Sequence, residues 1–231
     1  MKGACLALTV AVVLGAADGP TKRSPKEALQ AFNDLIGQWK GTGTPEGTRE
    51  EKDKGFWVES LNWRWQFKGE DAWLHVSFEK GKHFLKGDLR YLPDQDQFQF
   101  TVLTTAKENL TFTGRLQDRR LTLERTDGPK KEDQRLTVSL LHSNRFLYSY
   151  EVKPRQRSLF SRVYRVGATK KGVPFAAGDN QPECVVSGGL GTMVVRYNGK
   201  TYYVCCTGCR DAFKEDPEKY IKEYEARKKK K

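Results

Sequence analysis

Cysteine is the residue type in this sequence whose spacing points most directly to chemistry. The chain of 231 residues contains five cysteines, and four of them, Cys184, Cys205, Cys206 and Cys209, lie near its carboxyl terminus. Clustered thiols can coordinate a soft metal ion, form two disulfide bridges or exchange electrons as a dithiol. The segment that connects these four residues therefore decides which chemistry is available.

A predicted β-hairpin separates Cys184 from the later cysteines. Two short strands are expected at Met193–Tyr197 and Lys200–Val204, and Asn198-Gly199 between them is the strongest short-range hairpin signal. The second strand ends at a pair of adjacent cysteines, and Cys209 is predicted to open a helix. Closing the hairpin would bring Cys184 close to Cys205 and Cys209.

The small size of this region favours a cross-link or a metal ion as a source of stability. We assign residues 181–226 to a compact module, in which Asp216-Pro217-Glu218 starts a further helix. Chains of this size seldom bury enough surface to fold unaided. A thiolate at a helix start is favoured in the charged form that binds metals. We expect one ion per chain, Zn or Cu(I), with four candidate ligands: Cys184, Cys205, Cys209 and Cys206.

The residues of this module resemble the YHS/TRASH family of small metal-binding domains. The similarity is carried by Pro182–Gly189, Val195–Cys209, Phe213 and Asp216–Tyr220. It implies a zinc-ribbon-like or treble-clef-like fold that binds a soft metal. The ligands that it implies are Cys184, Cys205 and Cys209.

The fourth ligand is open, because Ser187 stands where a second cysteine of the first knuckle would complete a four-thiolate site. The remaining position belongs to Cys206, to an outside group or to nothing. Three thiolates suit Cu(I), whereas structural zinc takes four ligands.

Residues 29–167 contain no cysteine and must be stabilised by a hydrophobic core. A short helix is predicted over Ala28–Leu35, and the apolar residues after it recur every second position, as in Leu74, Val76 and Phe78 or in Leu85, Leu89 and Tyr91. This period with one polar face predicts about ten antiparallel strands. Short loops favour an up-and-down β-barrel over a two-sheet sandwich, so the fold class is mainly β. Residues 168–180 are predicted to be a linker.

The start of this region, Leu35–Gly41, is similar to the Gly-x-Trp motif of lipocalin-like (calycin) barrels, including the nitrobindin-like branch. The resemblance implies a cup that could hold a small apolar ligand or haem. Neither His75 nor His83 matches a haem-ligand motif. Trp63 and Trp65 share a strand face, and core filling is the favoured interpretation of these aromatic residues.

The amino terminus has the pattern of an export signal. A positive start at Lys2 precedes an apolar run over Ala4–Leu14 and the small residues Gly15–Ala17. We expect residues 1–17 to be removed near Ala17, and the mature protein to be secreted or located in the periplasm or cell envelope. No apolar run reaches the length of a membrane span.

The formal net charge is +12, and the final residues 227–231 form a basic tail. We interpret this tail as a solvated end. An exported chain without a recognition motif is a poor candidate for nucleic-acid binding.

These observations predict an exported, non-enzymatic metal-binding protein whose barrel could hold a small apolar ligand or a partner. Two alternatives remain. The first is a dithiol oxidoreductase that uses Cys206 and Cys209, although no βαβ pattern surrounds them. The second is a ligand-binding barrel whose module is clamped by disulfides. No Ser-His-Asp set or Gly-rich phosphate loop supports hydrolase or nucleotide chemistry.

Overall fold

The fold is a ten-stranded barrel followed by a small C-terminal module. The computed structural model describes residues 22–172 and 182–229, so the predicted signal peptide and most of the predicted linker lie outside the described residues. The barrel strands, in chain order, are β1 Gly37–Pro45, β2 Trp57–Lys68, β3 Asp71–Glu79, β4 Phe84–Leu92, β5 Gln97–Thr104, β6 Asn109–Gln117, β7 Arg120–Asp127, β8 Glu132–His142, β9 Arg145–Pro154 and β10 Ser161–Lys170.

The barrel closes because its first strand pairs with both the second and the last. Gly41 on β1 lies opposite Glu59 on β2 and opposite Ala168 on β10, and both pairings are antiparallel. The remaining strands follow one another around the ring in sequence order. Closure leaves no exposed strand edge, which explains why short-looped alternating strands adopt it. The predicted up-and-down barrel is confirmed, and the sandwich is not formed.

The last strand extends further than the alternation suggested. Ala168 is buried, and β10 continues to Lys170, which lies opposite Trp39. Residues 168–170, which we predicted to begin the linker, therefore belong to the barrel. Small and polar side chains at these positions weaken the period-two signal without breaking the strand.

Aromatic side chains fill the barrel interior. The Trp39 ring meets Phe146 edge-on at 4.7 Å between ring centroids, and the Trp63 ring stacks on Phe100 at 6.0 Å. Trp39, Trp63 and Trp65 are all buried. The core-filling interpretation of these residues is confirmed.

Two local features differ from the sequence expectation. A register shift between Phe84 and Lys86 turns Phe84 into the core, so Leu85 does not share the inner face with Leu89. A bulge of this kind moves every earlier side chain to the opposite face.

A helix that we did not predict, named α2 because it follows α1 (Pro25–Leu29) in the chain, spans Arg49–Gly55. It buries no residue and starts with a capping box at Thr48.

One end of the barrel is covered by the segment that precedes β1. Helix α1, Pro25–Leu29, continues into a 3₁₀-helix at Gln30–Leu35, so the predicted helix over 28–35 is of two types. Leu29, Phe32 and Leu35 are buried, and the Phe32 ring meets Phe98 of β5 at 5.1 Å. No helix within the described ranges is both long enough and apolar enough to span a bilayer.

The opposite end contains a buried polar group. The Glu59 carboxylate accepts hydrogen bonds from Tyr148 Oη at 2.5 Å and from Trp57 Nε1 at 3.0 Å, and its burial raises its pKa. The His83 ring stacks on Tyr164 at 4.1 Å. Burial, together with the charge of Lys82, lowers the pKa of His83 to about 4.

We predict that His83 makes the barrel less stable in acid. A histidine pKa that falls from 6.5 in the unfolded chain to about 4 in the folded protein contributes stability that is present above pH 6.5 and lost as pH falls towards 4. His83→Phe keeps the stack and cannot be protonated. Between pH 7 and pH 4.5, the variant should lose about 1 kcal/mol less unfolding free energy than the unaltered protein. This value allows for the partial exposure of His83.

Urea unfolding at the two pH values measures this difference. The pKa of Glu59 is shifted in the opposite direction, but Glu59 is present in both proteins, so its contribution to the pH dependence cancels in the comparison. An equal pH dependence of the two proteins would contradict the prediction.

Candidate metal centre

The C-terminal module, residues 182–229, consists of a hairpin and two helices. Strands β11 (Met193–Tyr197) and β12 (Lys200–Val204) are joined by Asn198-Gly199, whose φ angles are +47° and +72°. Two positive φ angles in succession are the reason that this dipeptide favours a hairpin, and the predicted turn is confirmed. Helices α3 and α4 follow at Thr207–Glu215 and Pro217–Lys228.

The first cysteine lies in a tight loop before the hairpin. The Cys184 amide donates to Gly189 O at 2.6 Å, and the Gly188 amide donates back to Cys184 O at 2.9 Å. Val185 N donates to Tyr203 O at 2.8 Å, which joins the loop to β12. These bonds fix Cys184 beside the end of the hairpin, as the closure argument predicted.

The other cysteines follow the end of β12. Cys205 comes directly after the strand, Cys206 is the N-cap of α3, and Cys209 is the third residue of that helix. The helix begins at Thr207, two residues before Cys209. We had expected it to begin at Cys209 itself. Cys184 and Cys209 are fully buried, while Cys205 and Cys206 are each 8 % exposed.

Three sulfur atoms converge, and we call them the sulfur triangle: the Sγ atoms of Cys184, Cys205 and Cys209. All lie within 4.8 Å of one another, and the Cys205–Cys209 separation is 3.4 Å. An ion about 2.3 Å from each of three thiolates holds them roughly 3.8–4.0 Å apart, so the triangle fits a soft metal ion after a small adjustment. The four module cysteines are free, without a disulfide among them.

Cys206 and Ser187 lie next to the triangle in different ways. Cys206 is not a member of the convergent group, although its Sγ lies 3.9 Å from that of Cys205. Ser187 is fully buried, with Oγ 3.3 Å from Cys205 Sγ, and its amide donates to Cys184 Sγ at 3.4 Å. The knuckle position that lacks a cysteine is therefore occupied by a hydroxyl group beside the sulfurs.

Hydrogen bonds connect the thiols of the cluster. Hydrogen bonds from Cys205 and then Cys209 lower the pKa of Cys184, whereas burial raises the pKa of Cys209. A metal ion held by the triangle would displace the thiol protons, because only thiolates bind metal. Nearby, burial lowers the pKa of Lys170, and the charges of Asp34 and Cys205 act against that effect.

The loop that carries Cys184 is held by residues from far along the chain. The Ser187 carbonyl accepts hydrogen bonds from Asn33 Nδ2 at 3.0 Å and from Gln30 Nε2 at 3.1 Å. Arg227 of α4 donates to Val185 O at 2.9 Å. We did not predict these supporting residues, since no local sequence pattern connects them to the cysteines. Arg227 also lies in α4, which extends beyond the predicted module end at 226.

The module docks on the barrel through close backbone contact. A Cβ atom on Gly208 of α3 would lie 1.7 Å from Trp65 O, so only glycine fits there. Lys26 pairs with Glu223 at 2.5 Å, and Lys219 pairs with Glu70 at 2.8 Å. Buried residues of the barrel and of the module form one continuous cluster. The module therefore does not depend on its own small core alone.

Fold and site together define a β-barrel protein with a small cysteine-rich module. Residues 193–224 match the family model of the YHS domain, which confirms that resemblance. The match includes Cys205, Cys206 and Cys209, and it begins after Cys184.

One solved structure, described as "Structure of EF1p2_mFAP2b bound to DFHBI", aligns with 62 % of this chain and 99 % of its own. The identity is 11 % and the TM-score is 0.24, so the barrel assignment rests on the strand pairings instead. No curated protein matches the chain.

We predict that Gly208→Ala destabilises the protein by about 1–3 kcal/mol, because the added methyl group forces α3 away from Trp65 O. Gly128→Ala is the matched control, since a Cβ atom there has no neighbour within 4 Å and its φ is not positive. Urea unfolding measures both. Equal stability of the two variants would contradict the docking described above.

Proposed function

We propose that this protein binds one soft metal ion, Cu(I) or Zn(II), through Cys184, Cys205 and Cys209. The observation that carries the proposal is the convergence of their three sulfur atoms within 4.8 Å. The match to the YHS domain supports metal binding as the general function. Three buried thiolates favour Cu(I) over Zn(II), because zinc prefers a fourth ligand.

The proposal includes a non-enzymatic role and export of the chain. Export is supported by the sequence of residues 1–17. The intact mass of the exported protein tests it, because the mass should correspond to a chain that begins near Asp18. Apart from the linker start at 168 and the module end at 226, the domain limits also stay predictions. The apolar barrel ligand implied by the lipocalin-like resemblance is not part of the proposal, since buried aromatic side chains occupy the interior.

Single cysteine variants test the ligand set. Cys184→Ser, Cys205→Ser and Cys209→Ser should each weaken metal affinity by more than about 100-fold, since loss of an outer-shell partner alone costs 10–100-fold. Cys206→Ser is the matched control and should retain one ion per chain. Competition with a chelator, followed by elemental analysis, measures affinity and stoichiometry.

The alternatives give different results in the same samples. A disulfide-clamped module would contain no free thiol and no metal. A dithiol oxidoreductase would reduce insulin disulfides, and Cys206→Ser would abolish that activity. Either result, with no metal bound, would overturn the proposal.

Ser187→Cys should convert the centre into a four-thiolate zinc site. Ser187 Oγ lies 3.3 Å from Cys205 Sγ, so a sulfur atom there reaches the triangle. We expect zinc affinity to rise by at least about tenfold, because structural zinc takes four ligands. Ser187→Ala is the control and should not tighten zinc binding. An unchanged zinc affinity in Ser187→Cys would contradict the assigned geometry.

A further inference from the structure

A groove between the barrel and the module opens onto the cysteine cluster. Its volume is about 390 Å³, and both Cys205 and Cys206 line it. Cys184 and Cys209 are fully buried and do not line it. The groove therefore gives small molecules access to one side of the sulfur triangle.

The charged side chains that line this groove, within the described residues, are all cationic. They are Arg64 on β2, Lys170 at the end of β10 and the adjacent Lys171. Arg64 Nε is buried and has no hydrogen-bond partner among the described residues. We call this feature the basic groove. Its volume is typical of small-molecule sites, and its charge attracts anions and repels a free metal cation.

The cationic side chains are held in place by the barrel. Lys170 Nζ donates to Asp34 O at 3.0 Å and lies 5.2 Å from the centre of the Trp39 ring. Lys171 Nζ donates to Ser60 Oγ at 3.1 Å. Both lysines donate to neutral oxygen atoms in these contacts. The Asp34 carboxylate, whose charge acts on Lys170, pairs with Arg119 at 2.9 Å.

We propose that the basic groove binds an anionic low-molecular-weight thiol that carries the metal ion to and from the sulfur triangle. This inference rests on the metal-binding function proposed above. Carboxylate groups of the carrier pair with Lys170, Lys171 and Arg64, and its sulfur lies beside Cys206. A cationic groove next to a cation site is explained if the ion arrives inside an anionic complex.

Transfer is a ligand exchange without a change of oxidation state. The bond between the ion and the carrier sulfur breaks as a bond to the Cys206 sulfur forms, and the carrier leaves as a thiolate. The ion then passes to Cys205, whose Sγ lies 3.9 Å from that of Cys206. Its bond to Cys206 breaks, and the protons of Cys205 and Cys209 pass to the Cys206 sulfur and to the released carrier thiolate. Cys206 is thus an entry ligand that the final site does not need.

The experiment supplies Cu(I) to the metal-free full chain from carriers of different charge. The carriers are mercaptosuccinate (anionic), 2-mercaptoethanol (neutral) and cysteamine (cationic). Stopped-flow absorbance of the Cu(I)–thiolate bands gives the transfer rate. We expect mercaptosuccinate to deliver Cu(I) at least about tenfold faster than cysteamine at low ionic strength, and salt to reduce the difference. Equal rates would overturn the proposal.

Single substitutions identify the side chains that select the anionic carrier and receive the ion. Lys171→Gln should reduce the preference for mercaptosuccinate by about threefold or more, since one of three charges is lost. Lys86→Gln, an exposed lysine on β4, is the control and should keep the full preference. Cys206→Ser should slow transfer from every carrier without changing the final stoichiometry. Rates like those of the unaltered protein in Lys171→Gln or Cys206→Ser would refute the assignment.

Failure of this inference is distinguishable from failure of the proposed function. A chain that takes up no Cu(I) from any carrier, and no metal in equilibrium dialysis, contradicts the metal-binding function itself. One bound ion per chain with no dependence on carrier charge contradicts the groove alone.

Discussion

The sulfur triangle depends on how the Cys184 loop is held against the barrel. The Ser187 carbonyl would be a buried acceptor without partners if Asn33 and Gln30 did not donate to it. On the other side, Gly208 sets α3, and with it Cys209, directly against Trp65 O. Cys184 and Cys209, which lie in separate segments, are thus both held against the barrel. Such support is what keeps a metal site in its binding geometry before the ion arrives.

This arrangement explains how a small module forms without a second knuckle cysteine. Its buried residues continue the barrel core, so the platform supplies stability that four thiolates and zinc provide in isolated modules. The proposed metal site therefore consists of three sulfurs with a neighbouring hydroxyl group. It is closed around Cys184 and Cys209 and open towards Cys205 and Cys206.

Features encoded by neighbouring residues were predictable, and those that depend on distant contacts were not. Asn198-Gly199 and the cap at Asp216 specify their turn and helix locally, and strand alternation specified the barrel. The bulge at Phe84 and the contacts of Asn33 and Arg227 have no local signal. The cysteine spacing did predict that sulfur atoms would converge. It could not show that Cys209, inside α3, belongs to the sulfur triangle while Cys206, the N-cap of that helix, does not, because this depends on the geometry of the helix. The capping box at Thr48 could have revealed α2.

X-ray absorption spectroscopy of the metal-loaded protein tests the central claim most directly. The account predicts three sulfur neighbours at about 2.3 Å from a single ion, with no metal neighbour. A first shell made of nitrogen and oxygen atoms, or of fewer than three sulfurs, would contradict it.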